Sequence, residues 1–318
     1  MTVKTEFTLT NTSSLNEPSQ VTTGSNLGYC RYSVGDFVVT TISDGSVTFD
    51  ISQLLLNITS EELDKILKKN ALSKNFNMQV NQFLIQTQEK LILVDTGLGR
   101  GILPTTGYLI DNLAAAGYQP EQVDALLLTH MHGDHIGGLS VNGIATFPNA
   151  SLYINEKELN YWLDKTNLAN ESDANNQRLF EYAPSMIEPY KRSEKLHLFV
   201  AGEQIVPGIR SCDSSGHTLG HTSYLVESQG EKLCIIGDII NVGPVQFENV
   251  RARMKGFDSD PKSAEKTRIK TFHEVSQDGT LIAATHLDFP GVGYLRQEHD
   301  IFVFTPLTNK SDDSVITL

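Results

Sequence analysis

Cysteine is scarce in this 318-residue chain: Cys30, Cys212 and Cys234 stand far apart and form no CxxC pair. Three scattered thiols build neither a disulfide framework nor a thiolate metal site. Cys234 lies inside the apolar run "KLCIIGD", where a small buried thiol is the plain reading. Basic clusters are missing as well. Lys and Arg number 25 against 38 Asp and Glu, a formal net charge of -13, and the densest basic patch is the pair Lys68-Lys69. Nucleic-acid binding draws most of its affinity from clustered cations, so no nucleic-acid partner is expected. No apolar run approaches the roughly 20 residues a spanning helix needs, so no membrane partner is expected either. The opening "MTVKTEFTLTNTSSLNEPSQ" has no basic start followed by an apolar stretch. A cytoplasmic protein is the expectation, with a secreted or periplasmic one left open, because removal of a leader would leave the same sequence.

What is present suits a globular chain with a substantial core, at 39% hydrophobic and 20% charged residues, and a mixed α/β chain of this length need not be divided. Residues 1–30, rich in Ser, Thr and Asn, read as an N-terminal arm or tail, and 306–318 as a C-terminal tail. Between them, 31–305 read as one domain. "YSVGDFVVTTISDGSVTFD" reads as paired strands with a turn at Ser43-Asp44-Gly45. "TSEELDKILKKN" reads as a helix capped by Thr59 with Glu62 three positions on, burying Leu63, Ile66 and Leu67. "KLILVDTG" delivers Asp95 to a Gly-containing turn, "TTGYLIDNLAAAGY" reads as a helix closed by Gly117, and "VDALLLTH" as a buried strand. Residues 151–198 change to a polar, aromatic, helix-forming character. They predict either surface helices or a cap over a pocket floored by strand ends. Strand signals resume in "GIRSCDSSGHTLGHTSYLVE", "KLCIIGDII" and "GTLIAATHLDFP". Two buried strands that end in Asp, "LILVDTG" and "LCIIGD", suggest a duplicated sheet-plus-helix unit.

The chemistry concentrates where one of those strands ends, in "THMHGDHIGG" at 129–138. In extended chain, side chains two apart share a face, so His130 and His132 can approach one ion together. Across Gly133 the backbone turns, so Asp134 and His135 can address a neighbouring position. Gly137 and Gly138 fit a helix start packed closely against the strand. Four ligands cannot complete two coordination spheres. Later loops offer His217 and His221 in "GHTLGHT", Asp238 after four apolar residues, and His286 in "AATHLDFPG". Imidazole and carboxylate ligands without thiolate favour Zn²⁺ or another first-row divalent ion.

This constellation resembles the metallo-β-lactamase superfamily. Its HxHxDH motif is filled by His130, His132, Asp134 and His135, its GHT ligand by His217, its bridging Asp by Asp238 and its last His by His286. The resemblance implies a four-layer αβ/βα sandwich, with two central mixed sheets and helices outside. It implies a binuclear centre with His130, His132 and His217 on one ion, Asp134, His135 and His286 on the other, and Asp238 bridging them. Asp95 matches a buried residue that supports a ligand imidazole from behind, and His221 reads as a neighbour rather than a ligand. "GDFVVTTISDG", "KLILVDTG", "NLAAAGYQPEQVD", "LVESQGEKL", "GPVQF" and "HLDFPGVGYLR" look like methyl parathion hydrolase and quorum-quenching lactonase-like members, over about 32–303. Those relatives imply a homodimer, and "YWLDKTN" matches a pocket-forming segment of theirs.

The implied reaction is hydrolysis of a small-molecule ester, lactone, N-acyl homoserine lactones included, or phosphotriester. Two divalent ions, Zn²⁺ first and Mn²⁺, Co²⁺ or Fe²⁺ next, would provide a metal-bridging hydroxide as nucleophile. Asp134 and Asp238 are the catalytic candidates, with Asp134 handling the proton. Trp162, Phe83, Phe180, Phe247 and Phe76 are candidates for an apolar substrate pocket, with a core role the alternative for each. A β-lactam hydrolase, an iron-dependent redox enzyme and a metal-stabilised binding protein are the competing readings. The physiological substrate is not written in these motifs.

Overall fold

The computed structural model describes residues 22–24, 28–171 and 174–307. Its architecture follows from strands that are apolar on both sides. Along Leu91–Val94, Ile92 and Val94 enter one core cluster and Leu91 and Leu93 another. Ala125–Leu127 alternates in the same way, with Ala125 and Leu127 on the first side and Leu126 on the second. A strand buried on both faces must lie between two apolar layers. In the later half, Leu233, Ile235, Leu281 and Ala283 join the first of these clusters, while Ile236, Ile282 and Ala284 join a separate one.

Among the described residues most strands form two large mixed sheets, beside two small two-stranded pairs. The eight-stranded sheet runs in the order Thr22–Gly24, Tyr29–Val34, Phe37–Asp50, Asn75–Gln86, Leu91–Val94, Ala125–Leu127, Ser151–Asn155, Leu196–Phe199. The seven-stranded sheet runs Gln204–Val206, Ile209–Asp213, Thr222–Ser228, Glu231–Ile235, Leu281–Ala283, Val292–Glu298, Ile301–Pro306. Each contains a parallel step at its middle, Leu91–Val94 beside Ala125–Leu127 and Glu231–Ile235 beside Leu281–Ala283. The sheets face each other across a shared core that takes Val39, Ile85 and Ile92 from one and Tyr224, Val226 and Leu233 from the other.

Helices cover the outer faces. Leu109–Ala115, Glu156–Leu163 and Ala174–Arg192 seal the first sheet with Leu113, Leu159 and Ile187; Gly243–Glu248 and Pro261–Asp278 seal the second with Phe247 and Phe272. The expected four layers are therefore those observed. Asp260 starts Pro261–Asp278 by accepting from the N–H groups of Lys262 and Ser263, and Ala264, Arg268, Phe272 and Val275 form its buried stripe. Burying a side chain such as Phe272 stabilises by about 1.5–3 kcal/mol. The expected capping box is also present: Thr59 Oγ1 accepts from Glu62 N–H at 3.2 Å, and the Glu62 carboxylate accepts from Thr59 N–H at 2.8 Å. It starts Ser60–Lys69, whose Leu63, Ile66 and Leu67 are buried.

Several details differ from the expectations. Ser43-Asp44-Gly45 is not a turn, since Phe37–Asp50 is continuous and shifts register there, as at a bulge. The hairpin turns earlier, at Gly35-Asp36, where Val34 pairs with Phe37. The bulge frees Asp44 from the ladder, and its carboxylate accepts from the N–H groups of Leu98 and Leu109, pinning the loop between them. Gly137 and Gly138 close a one-turn helix, Gly133–Ile136, rather than opening one. A Cβ on either would meet Leu98 O at 2.0 Å or Thr96 O at 2.1 Å. The 151–198 segment is not wholly an insertion, because Ser151–Asn155 and Leu196–Phe199 pair parallel within the first sheet. The arm at 1–30 falls outside the described residues except at 22–24 and 28–30, where Thr22–Gly24 and the start of Tyr29–Val34 pair at the first sheet's edge. At the other end Leu307 is buried, and 308–318 lie outside the described residues.

Candidate functional site

The parallel strands of both sheets end at the same place. Asp95 follows Leu91–Val94, Thr129 and His130 follow Ala125–Leu127, and Asp238 and His286 lie just beyond Glu231–Ile235 and Leu281–Ala283. In open α/β sheets the carboxyl ends of parallel strands are where loops can converge on a ligand. Two bonds lock the sheets together here: Thr222 N–H donates to Thr129 O at 2.8 Å, and the Tyr224 hydroxyl donates to Leu128 O at 2.6 Å.

The structure brings together all seven residues expected as ligands. Their donor atoms form three groups, each lying within 4.8 Å: His130, His132 and His217; His130, His135 and Asp238; Asp134, His135 and His286. Asp238 stands centrally, with Oδ2 3.3 Å from His217 Nε2 and 3.1 Å from His286 Nε2, and Oδ1 3.2 Å from His135 Nε2. Asp134 Oδ2 lies 3.5 Å from His286 Nε2.

Four of the five ligand imidazoles are held from behind. Asp95 Oδ2 takes His135 Nδ1 at 2.8 Å and the Thr129 hydroxyl at 2.7 Å, and Thr129 Oγ1 in turn lies 3.0 Å from His130 Nδ1. The Asp95 backbone adopts φ 62, a left-handed conformation uncommon outside glycine, and Leu127 O fixes it by accepting its N–H. His286 Nδ1 faces Gln79 O at 2.7 Å, and His217 Nδ1 faces Asp258 Oδ1 at 3.1 Å. These partners leave the inward nitrogens for other work.

His221 is set apart by its bonds. Asp238 N–H donates to its Nε2 at 3.1 Å, so that nitrogen is an acceptor and the proton resides on Nδ1, which faces Ser214 Oγ at 2.8 Å. Burial, reinforced by His217, pushes this imidazole down to about 3, so it stays neutral. With both nitrogens engaged it braces the Asp238 backbone.

The inward atoms tell whether a cation fits. His130 Nε2, His135 Nε2 and Asp238 Oδ1 are buried and none makes a well-formed hydrogen bond, although the last two face each other at 3.2 Å. Buried polar atoms without a proper hydrogen bond are costly, and three that converge in one spot suit a shared partner. His132 Nδ1 and His217 Nε2 lie 3.0 Å apart, both directed at the same point. Burial, joined by the neighbouring imidazoles, holds His130 and His132 well below the usual histidine range, so both offer lone pairs. Burial opposes protonation of His135 and His286 too, but Asp238 and Asp134 outweigh it and raise both. Burial likewise works against the Asp238 carboxylate, yet His286 and His135 hold its pKa well below the usual range. The carboxylates demand positive charge at their centre, and the donor set suits two first-row divalent cations.

Above these residues opens a cleft of about 550 Å³, with His132, Asp134 and Asp238 on its floor. Its walls are chiefly apolar: Phe49 and Met78 from the first sheet, Leu98 and Ile102 from the loop pinned by Asp44, Leu179 from Ala174–Arg192, and Phe257. From the helical segment, Arg178, Leu179 and Tyr182 of Ala174–Arg192 line the cleft. The aromatic residues expected in the pocket lie elsewhere. Phe83 is in the core between the sheets, Phe180 and Trp162 are in the core under the helices, Phe247 packs on Phe304, and Phe76 joins a side core with Met78. Alternation explains these placements: Phe83 and Phe76 sit on strand faces covered by other elements, and the helical aromatics lie on buried stripes. Trp162 touches the site only from beneath, its ring 5.9 Å from that of His132.

Sequence reasoning passed over Asp44, Glu158, Thr129 and Asp258. Asp44 looked like a turn residue and Glu158 like an ordinary surface acid on a helix. Asp258 lies in an aperiodic loop, "GFDSDP". A signal did exist for Thr129, which directly precedes the motif.

Known proteins agree with this geometry. An N-acyl homoserine lactonase of Bacillus cereus is 27% identical over 214 residues, 61% of this chain and 76% of that protein, and one of Bacillus sp is 26% identical over 208 residues, 59% and 74%. Among solved structures, AbOPH, a hydrolase in the beta lactamase superfamily, superposes with a TM-score of 0.85 at 35% identity, over 89% of this chain and 99% of that one. AidC, a dizinc quorum-quenching lactonase solved with a product, superposes with a TM-score of 0.81 at 25% identity and the same coverage. Residues 76–286 match the metallo-beta-lactamase superfamily. With that match over most of its length, and with the strand-end cluster already described, the chain belongs to the metallo-β-lactamase superfamily.

Proposed function

We propose that this protein is a two-metal hydrolase of lactones and carboxylic esters, with phosphotriesters as secondary substrates. The observation that carries the reading is the cluster of seven His and Asp side chains, with His130 Nε2, His135 Nε2 and Asp238 Oδ1 buried and lacking well-formed hydrogen bonds, beneath an apolar cleft. His130, His132 and His217 would hold one cation and Asp134, His135 and His286 the other, with Asp238 between them. Zn²⁺ is the first choice, in keeping with the donor set and with the dizinc neighbour. When bound, such a pair supplies an activated water and a positive field for the oxyanion that forms.

The chain's own groups do the rest. Asp134, partly exposed on the floor, is placed to take the proton as water attacks and to return it to the leaving oxygen. Leu98, Ile102, Leu179 and Phe257 exclude water and seat an acyl chain or aryl group. Tyr182 stands in the wall, and burial raises its phenol, which keeps it protonated as a donor. Among the described residues Arg178 is the one Lys or Arg side chain on the cleft, suited to a carbonyl or a carboxylate on the substrate.

The test is a panel of γ- and acyl-homoserine lactones, aryl esters and phosphotriesters, assayed with the metal-loaded protein, the chelated protein and Asp238→Ala. Turnover of lactones and esters that vanishes in the last two is expected. Turnover that survives in either overturns the proposal.

A further inference from the structure

Glu158 takes no part in that chemistry, yet it is only 1% exposed. An acid in the first turn of an outer helix ordinarily reaches for water. Here Oε1 accepts from Met131 N–H at 2.9 Å and from Trp162 Nε1–H at 2.8 Å, and Oε2 accepts from the Thr218 hydroxyl at 2.7 Å and from Gly220 N–H at 3.0 Å. Two donors on each oxygen offset the desolvation of the charge.

The donors matter for what they adjoin. Met131 stands between His130 and His132 in the chain, and Thr218 directly follows His217. One carboxylate therefore fastens together the two loops that present the three imidazoles of the first cation group. Of its four donors only Met131 lies in the segment that also carries Asp134, three residues before it, and none lies in the loop of His286. Trp162, which donates to it, also lies edge to face against His132, so the same acid fixes that ring's neighbour. Gly220 allows the approach, since a Cβ there would lie 2.3 Å from Glu158 N.

The geometry points to Glu158 as a positioning residue that sets the span between His130/His132 and His217, and so controls the affinity of one cation and not of its partner. The inference rests on the two-cation reading above. Glutamine cannot replace it, because the amide NH₂ would face two donors where the carboxylate oxygen accepts both.

The test measures zinc stoichiometry and affinity by chelator competition, and the visible spectrum of the cobalt-loaded protein, for the wild type, Glu158→Gln, His217→Ala and Asp134→Ala. The expected result is that the wild type binds two ions. In Glu158→Gln one ion weakens by about 10- to 100-fold while the other is unchanged, as found when a partner behind a ligand is lost. Its cobalt spectrum should match that of His217→Ala and not that of Asp134→Ala. Equal weakening of both ions, or two ions at wild-type affinity, overturns the inference. A wild type that binds fewer than two ions instead overturns the two-cation reading. Should Glu158→Gln fail to fold, Thr218→Val removes one donor and leaves three; it should weaken the same ion by a smaller factor, and no selective weakening there is equally fatal.

Discussion

The floor and the walls of the cleft are built differently. On the floor, His130, His135, His217, Asp238 and His286 are nearly inaccessible, and each outward nitrogen or backbone group is tied to a named partner. On the walls, Ile102 is 56% exposed and Leu103 37%, and they stand on a loop held chiefly at its ends by Asp44. The floor is over-determined by hydrogen bonds, whereas the walls are apolar side chains with room to re-pack. On the function proposed above, reaction type would reside in the floor and substrate choice in the walls, as expected when function is grafted on a scaffold.

The comparison can be broken or sharpened by experiment. Asp238→Ala strikes the centre of the floor and should lower kcat/KM by more than about 10³-fold for every substrate alike, in steady-state assays across the panel. Asp95→Asn leaves the ligands in place but loosens His135 and Thr129; metal titration should show about 10- to 100-fold weaker binding. Removing metal with a chelator should lower the midpoint of thermal unfolding by several degrees, read by calorimetry. An ion at 100 times its Kd stabilises by about 2.7 kcal/mol. Leu179→Ala belongs to the wall and should raise KM for long acyl chains about 10-fold while leaving kcat and short substrates nearly unchanged. Phe83→Leu, in the core between the sheets, should cost about 1 kcal/mol in denaturant unfolding and leave the substrate ranking as it was. A change of ranking by Phe83→Leu, or a uniform loss by Leu179→Ala, would erase the distinction.

The floor was far more legible in the sequence than the walls, for a physical reason. Coordination demands particular atoms at particular spacings, so His130, His132, Asp134 and His135 appear as a compact motif, and Asp238 betrays itself as a charge after an apolar run. An apolar wall demands only bulk, and Leu98, Ile102 or Leu179 look like any core residue. The misplacement of Phe83, Phe180, Phe247 and Trp162 has this origin, since large aromatics fit a core as readily as a pocket. Asp44 misled in the opposite sense, because Ser-Asp-Gly is chemically a turn and became a bulge only when Phe37–Asp50 found a long partner in Asn75–Gln86. Glu158 and Asp258 reach the site through partners remote in sequence, Met131, Thr218 and Gly220 for the one and His217 for the other, so no local pattern could mark that role. The four-layer arrangement was implied by resemblance, and the doubly apolar strands explain why it forms.

The bonds from Thr222 to Thr129 and from Tyr224 to Leu128 place the ligand cluster on the seam between the halves of the chain. Neither half holds a complete set of donors: the first sheet's loops bring four residues of the cluster and the second sheet's loops the other three. Hydrolytic capacity is therefore a property of the docked molecule, acquired in the same event as its innermost packing.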